Sequence, residues 1–330
     1  MGSLLAFISA ICYAVGYLLV RTGVKPGDPD GGAFVTTVFN AVLLGGAAAI
    51  VLLLGAPVTF VPAGVAWFAV AGVLGPFAGR ILMFAGIHRV GPARAAAVVN
   101  SAPIITVFLA VTVLGETLSP ADMIAVALVV TGLVVLMAEA FQEAGARPRA
   151  DRMPFPPTAD DPVLEASVAE RARTAAADFR RRYGTALVIG ILAAAGSAVA
   201  FGFARTARRL GLEFIPEALM GAALGAMAGL LTHVVVQGAQ GRLGLLVRSS
   251  IRQPRPRLWI AGTLSALGLF SFFAALTFAP LAHVAVIAAS ETILTLLMTS
   301  IFLRRTERFS PRLLIPAGCI FAGAILIAVG

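Results

Sequence analysis

Lysine is all but missing from this 330-residue chain. Lys25 is the only one, and Asp, Glu, Lys and Arg together make up 12% of the residues. An ordinary soluble domain is about a quarter charged. With 59% hydrophobic residues and a mean hydropathy of +0.95, the chain has too few polar groups to cover a water-facing surface, so it reads as a polytopic membrane protein. Cysteine is scarce too. Cys12 and Cys319 lie in apolar segments near opposite ends, which excludes a disulfide framework. The three histidines, His88, His233 and His283, are scattered, so no metal site and no cofactor is expected. There is no G-x-x-x-x-G-K-[ST], which excludes ATP hydrolysis by the chain itself. There is no H-E-x-x-H and no Ser/His/Asp grouping at shared depth, so no enzyme is expected. The net charge of +9 is almost wholly arginine and lies between apolar runs. That spacing argues against a nucleic-acid partner and for topology determinants. The N-terminus lacks a basic n-region, and no cleavage site follows the first apolar run, so a signal peptide is not expected.

What is present is said twice. Residues 12–25 read CYAVGYLLVRTGVK and residues 196–209 read GSAVAFGFARTARR, so Val15, Arg21 and Thr22 recur as Val199, Arg205 and Thr206. Glu116, Ser119, Pro120, Ile124 and Gly132 return as Glu307, Ser310, Pro311, Ile315 and Gly323. A period of about half the chain is too long for a solenoid and fits duplication of a membrane module. Apolar stretches long enough to cross a bilayer fall near 3–20, 32–54, 64–88, 93–114 and 120–138, then 185–204, 216–237, 258–279, 282–303 and 312–330. In lipid these must be helices. Five spans per half is an odd number, so the copies insert in opposite senses. The expected fold is all-α, ten transmembrane helices as two inverted five-helix repeats over residues 1–138 and 185–330.

Residues 139–184 form a hydrophilic connection. It opens as Pro-rich, acidic loop text and becomes Ala- and Arg-rich from Pro162 to Tyr183, where an exposed helix is expected, with Asp160 or Asp161 as its N-cap. Arg180, Arg181 and Arg182 would pin it to lipid headgroups. Counting Lys and Arg puts 21 on the linker side, 13 of them outside the linker, against Arg205, Arg208 and Arg209 on the other. The linker is therefore expected to be cytoplasmic, with both termini outside.

Residues 86–137, GIHRVGPARAAAVVNSAPIITVFLAVTVLGETLSPADMIAVALVVTGLVVLM, carry a small-residue entry to the fourth helix, a proline inside it, a Gly-Glu-Thr-Leu-Ser turn and a late glycine in the fifth. In this the chain resembles the drug/metabolite transporter superfamily, most closely its ten-helix EamA-type members. The second copy, at 275–327, is weaker: TERFSP replaces GETLSP and the intrahelical proline is gone. The resemblance implies that the third and fourth helices of each repeat line a central cavity. It also implies cytoplasmic termini, opposite to the arginine count, which is preferred here.

Arg80 in the third span and Glu291 in the ninth are the ionic groups well inside expected spans. Charges there are costly and tend to face a cavity or each other. An Arg80–Glu291 pair across the cavity has two readings: Arg80 binding an anionic substrate group while Glu291 exchanges a proton, or an ion pair locking the halves together. Gly75 and Pro76, just before Arg80, and Pro103 in the fourth span are candidate hinges, because proline frees backbone carbonyls. Tyr13 and Tyr17 share a face of the first helix. With Asn40, Asn100, Ser101, Ser197, Ser290 and Thr292 they outline a polar interior as a group, although for each one singly interhelical hydrogen bonding is the more ordinary job. Gly221, Gly225 and Gly229 form a packing ridge on the seventh helix. Glu116 and Glu307 sit where a carboxylate favours the N-terminus of the next helix.

The reading is a secondary transporter, in the exporting sense that the resemblance implies, of a small polar metabolite across the cytoplasmic membrane, proton-coupled through Glu291. The expected partners are the small-molecule substrate and membrane lipids. Two rivals stand beside it: a non-transporting scaffold or sensor that works through the linker, and a flippase for a lipid or lipid-linked precursor.

Overall fold

The structure of the protein, a computed structural model, describes residues 1–23, 29–90, 92–146, 162–252, 256–302 and 314–329. Among these residues there are only helices. The first half contains α1 (Gly2–Gly23), α2 (Pro29–Leu53), α3 (Pro62–Gly72), a π-helix (Val73–Gly79), α4 (Arg80–Val90), α5 (Pro92–Val99), α6 (Ala102–Thr112) and α7 (Pro120–Ala146). The second contains α8 (Pro162–Phe214), α9 (Ala218–Ala239), α10 (Leu243–Arg252), α11 (Pro256–Phe278), α12 (Leu281–Ala288), α13 (Ser290–Phe302) and α14 (Leu314–Val329). Prolines open many of these helices, where a missing N–H costs nothing.

Nine helical segments among the described residues are long and apolar enough to cross a membrane; this is a multi-pass membrane protein. The tenth expected span is present only as a shorter apolar helix, Ile315–Val329, and its expected first residues lie outside the described ones. Glu307, Ser310 and Pro311 lie outside them as well, as does the loop text at 147–161. The expected helix after Pro162 is there, running without interruption into the sixth span as α8.

One expectation needs correction. The sixth span does not stop near residue 204. Its helix runs on to Phe214, so Arg205, Arg208 and Arg209 belong to the bundle and not to a loop. A hydropathy window stops at the first arginine. The helix continues because ring faces and a carbonyl receive those guanidiniums, as described below. The connection between the expected spans ending at 237 and starting at 258 contains α10, on which Leu246 is buried while Leu245 and Val247 stay exposed.

The two halves interleave. Helix α1 packs on α11, α2 on α9 and α11, α3 on α8 and α9, α6 on α8 and α12, and α7 on α14. Lipid gives no hydrophobic drive for such contacts, so close backbone approach and interhelical hydrogen bonds must supply it. The tightest approach joins α3 to α9: a Cβ on Gly72 would lie 2.1 Å from the Gly225 carbonyl oxygen. Gly221 faces Phe68 and Phe273, and Gly229 faces the Gly72 carbonyl and Pro76. The ridge on the seventh span is thus a packing surface. Two glycines matched by the internal repeat meet reciprocally: Gly132 on α7 approaches the Pro316 carbonyl of α14, and Gly323 on α14 approaches the Ala125 carbonyl of α7.

Candidate functional site

Pro76 has no N–H to give the helix ladder, and the third span answers with a π-helical turn over Val73–Gly79. Such turns recur at functional sites. Here Arg80 follows it directly and reaches between helices. Its Nη1 donates to Thr36 Oγ1 at 2.7 Å and to Thr37 Oγ1 at 3.3 Å, and its Nη2 donates to Ser265 Oγ at 3.4 Å. Both threonine hydroxyls donate back to carbonyls of their own helix, Thr36 to Gly32 and Ala33 and Thr37 to Ala33, which leaves their lone pairs for the guanidinium. Asn40 Nδ2 donates to the same Ser265 hydroxyl at 3.2 Å. The buried Asn40 Oδ1 has no donor among the described residues. Arg80 is therefore held by neutral oxygens on α2 and α11, and the direct Arg80–Glu291 pair considered from sequence is not formed.

The cation that interacts electrostatically with Glu291 comes from α8. Arg205 is the charge that acts on Glu291. Arg205 and Arg208 stand three apart on one helix face, and both lie over the Phe272 ring, with Cζ 5.7 and 5.3 Å from its centroid. Arg208, only 8% exposed, also lies 5.6 Å from the Phe273 ring. Gly75 leaves space for it, since a Cβ there would come within 3.2 Å of Arg208 Nη2. Arg205 Nη1 is buried with no acceptor among the described residues. Arg209 turns elsewhere and donates to the Leu276 carbonyl at 2.6 Å, near the end of α11.

Tyr13 and Tyr17 stack at 6.5 Å between centroids, 29° from parallel, so their sequence spacing does place them together. Arg208, Glu291, Arg80 and Arg205 are the charges that act on Tyr13, and Tyr17 feels Glu291, Arg80 and Arg205. These six residues come from α1, α4, α8 and α13 and converge on one interior region with three guanidiniums and one carboxylate. Tyr17 is 37% exposed and Glu291 half-buried, so the region keeps accessible surface.

Two broken helices frame it. The fourth span stops at Asn100–Ser101 between α5 and α6, and Ser101 Oγ donates to the Val98 carbonyl at 2.7 Å. The ninth span stops at Ala289 between α12 and α13, and Ser290 Oγ donates to the Ile287 carbonyl at 2.6 Å. Each serine bonds back three residues to close the same kind of break. Pro103 sits in the first turn of α6, where proline is tolerated, and not inside a continuous helix. Glu291 and the buried Thr292 lie in the first turn of α13. Ser197, on α8, donates to the Gly79 carbonyl at 2.8 Å and ties that helix to the π turn.

Arg80, Glu291, Tyr13, Tyr17 and Asn40 thus share or border the central region. Ser197 and Ser290 are engaged with backbone, as is Ser101, while Asn100 marks the break beside it. Thr36, Thr37, Ser265, Arg205, Arg208 and Phe272 are additions from the structure. The recurrence of Arg21-Thr22 as Arg205-Thr206 is the sequence signal that points to Arg205; the others carry none.

At the α6–α7 end of the bundle the helices are linked across halves. Gly115, at φ 67°, turns the chain out of α6. Glu116 then accepts from the Leu281 N–H (2.7 Å) and the Ala282 N–H (2.9 Å), so it caps α12. The sequence expectation put this carboxylate at the next helix, but α7 has its own cap: the Ser119 N–H donates to Asp122 Oδ2 and the Asp122 N–H to Ser119 Oγ. The second Asp122 oxygen lies 3.1 Å from His283 Nε2. Among the described residues, no three His, Cys, Asp or Glu gather as metal ligands.

The EamA-like transporter family matches residues 1–138. A solved crystal structure of a protein resembles the fold over 99% of this chain and 98% of its own, with a TM-score of 0.63 and 19% identity. No curated protein matches.

Proposed function

We propose that the chain is a secondary active transporter moving a small polar metabolite by alternating access, a reading supported by the match of residues 1–138 to the EamA-like transporter family. The proposed architecture is ten helices in two inverted five-helix repeats, residues 1–138 and 185–330, joined by the 139–184 linker. The observation that carries the reading is a pair of short helix interruptions, between α5 and α6 and between α12 and α13, at matching places in the two halves beside an interior charged cluster; the backbone stays right-handed through both, so they are kinks in two spans. Interrupted helices in corresponding positions of two repeats are a pointer to the place where transporters bind their cargo. The reciprocal Gly132 and Gly323 contacts support the repeat relation.

Glu291 is the proposed proton carrier: it is the lone carboxylate among the charges that meet at Tyr13, on the first turn of a half-helix. Export is the proposed direction. With Arg205, Arg208 and Arg209 assigned to the bundle, the short connections at 54–61, 113–119, 215–217 and 279–280 contain no Lys or Arg. All the flanking positive charge then lies at the linker end, which supports a cytoplasmic linker in the cytoplasmic membrane.

The test is transport by purified protein in liposomes under an imposed pH gradient, compared with Glu291→Gln. Gradient-driven flux in the wild type, reduced to exchange alone in the variant, is the expected result. Flux in the variant that follows the gradient as in wild type would remove Glu291 from coupling. An absence of flux for every metabolite class would remove the transport reading itself.

A further inference from the structure

The charges in the central region do not balance, and the imbalance bears on what the site accepts. Arg80, Arg205 and Arg208 meet Glu291 around Tyr13 and Tyr17. That is three fixed cations against one carboxylate, leaving an excess of two positive charges in the middle of the bundle. Nothing on the described residues neutralises them. Arg80 has hydroxyl oxygens of Thr36, Thr37 and Ser265, which engage part of its N–H fork and leave its charge. Arg205 and Arg208 have the faces of Phe272 and Phe273, and a ring quadrupole offsets a buried cation far less than a carboxylate does.

The geometry also leaves hydrogen-bonding capacity open. Arg205 Nη1 is buried and without an acceptor, and on the α2 side the buried Asn40 Oδ1 is without a donor. A guanidinium offers a planar fork of N–H groups that suits two-point bonding to a carboxylate or phosphate, and an aromatic ring takes up none of them. The Cζ atoms of Arg205 and Arg208 lie 5.7 and 5.3 Å from the centroid of the one Phe272 ring, which brings two such forks together.

We infer that the substrate of this site is a small dianion, a dicarboxylate or a phosphate monoester, received by Arg205 and Arg208, with Arg80 and the Tyr13 and Tyr17 hydroxyls on its far side. This rests on the transport reading above and specifies its cargo. It displaces Arg80 as the principal anion receptor, because Arg80 is already engaged with α2 and α11 while Arg205 has a nitrogen to spare. Bound there, a dianion brings the cluster to neutrality with Glu291 ionised, and one proton on Glu291 shifts that balance by a single charge.

The experiment uses the full chain, purified in detergent in chloride-free buffer at constant ionic strength. Melting temperature is followed against succinate, glycerol 3-phosphate, lactate, serine and putrescine, and the same five compounds are then tested for counterflow in proteoliposomes. A ligand that binds the folded state alone raises the melting temperature by mass action. Stabilisation by succinate or glycerol 3-phosphate is expected, with little from the monoanion, the zwitterion or the cation. Which of the two dianions acts tells carboxylate from phosphate.

Arg205→Lys and Arg208→Lys, which keep the charge and the helix, should each weaken the response about tenfold or more, the scale of a lost charge-assisted hydrogen bond. Arg209→Gln, outside the site, should respond as wild type. The inference is overturned if lactate, serine or putrescine stabilises as well as the dianions, if neither dianion does, or if their effect persists unchanged in both lysine variants. Dianion stabilisation without counterflow keeps the site and sinks the transport reading. Counterflow of serine or putrescine without dianion binding does the reverse.

Discussion

Glu116 is the sharpest single contact between the two halves, and replacing it should both destabilise the bundle and unlink one end. Its two oxygens accept from consecutive N–H groups at the start of α12, at 2.7 and 2.9 Å, and Leu281 and Ala282 are fully buried. In Glu116→Ala those two N–H groups lose their acceptors. Hydrogen bonds to a charged group are worth about 1.5–3 kcal/mol each. Glu116 itself is half-buried, so the lower end applies and the loss is about 2–4 kcal/mol for the pair. Glu116→Gln keeps one carbonyl acceptor and the shape, and should lose about half as much. If the linked arrangement is one of two states in an alternating cycle, the same loss shifts the balance toward the unlinked state by about 30- to 1,000-fold. In a Cys319→Ser background, needed because Cys319 is not buried, a thiol-reactive fluorophore reads unfolding through Cys12, which is buried in the folded bundle. The melting temperature should fall in the order wild type, Glu116→Gln, Glu116→Ala, with a drop of about 5 °C or more for the last. A Glu116→Ala protein that melts within about 1 °C of wild type, together with an unchanged Glu116→Gln, would refute the reasoning.

Gly72→Ala should cost about 1–3 kcal/mol or more, because its Cβ would meet the Gly225 carbonyl at 2.1 Å and must force α3 from α9; Gly46→Ala, with nothing within 4 Å, should melt at or slightly above wild type in the same assay. Ser265→Ala removes an acceptor of Arg80 and the partner of Asn40 Nδ2, so it should lower stability by about 1–3 kcal/mol, while Ser265→Thr should recover most of it in chemical or thermal unfolding. Phe272→Leu removes the ring under Arg205 and Arg208 and should weaken dianion binding more than it lowers the melting temperature, whereas equal loss of both would make the ring mere core. Asp122→Asn ends the contact of its carboxylate with His283 Nε2 and weakens the cap on the Ser119 N–H, so it should lower the melting temperature in the same thermal-unfolding assay.

The membrane class and the positions of most helices were legible in the chain because they rest on local quantities. Length and hydropathy of a run fix whether it can cross lipid, and an odd number of spans per copy fixes the opposed senses expected of the repeats. Tyr13 and Tyr17 are together because four residues return a helix to the same face, and Pro76 disturbs its helix because proline carries its defect wherever it stands. What stayed hidden depends on partners far away in sequence. Glu116 caps a helix 165 residues later rather than the one beside it, since any buried N-terminus nearby in space offers the same free N–H groups.

Arg205 and Arg208 read as loop because a charge ends an apolar window; they are interior because Phe272 and Phe273 on α11 accept them. Arg80 and Glu291 read as natural partners because opposite charges in lipid attract, yet Thr36, Thr37 and Ser265 engage one, and Arg205 is the charge that acts on the other. Hydropathy, periodicity and proline chemistry are properties of a residue and its near neighbours, so the sequence by itself determined a bundle of membrane helices with broken and bent members. Which charges confront one another is set by the packing of helices from both halves, and that the tertiary structure alone decided.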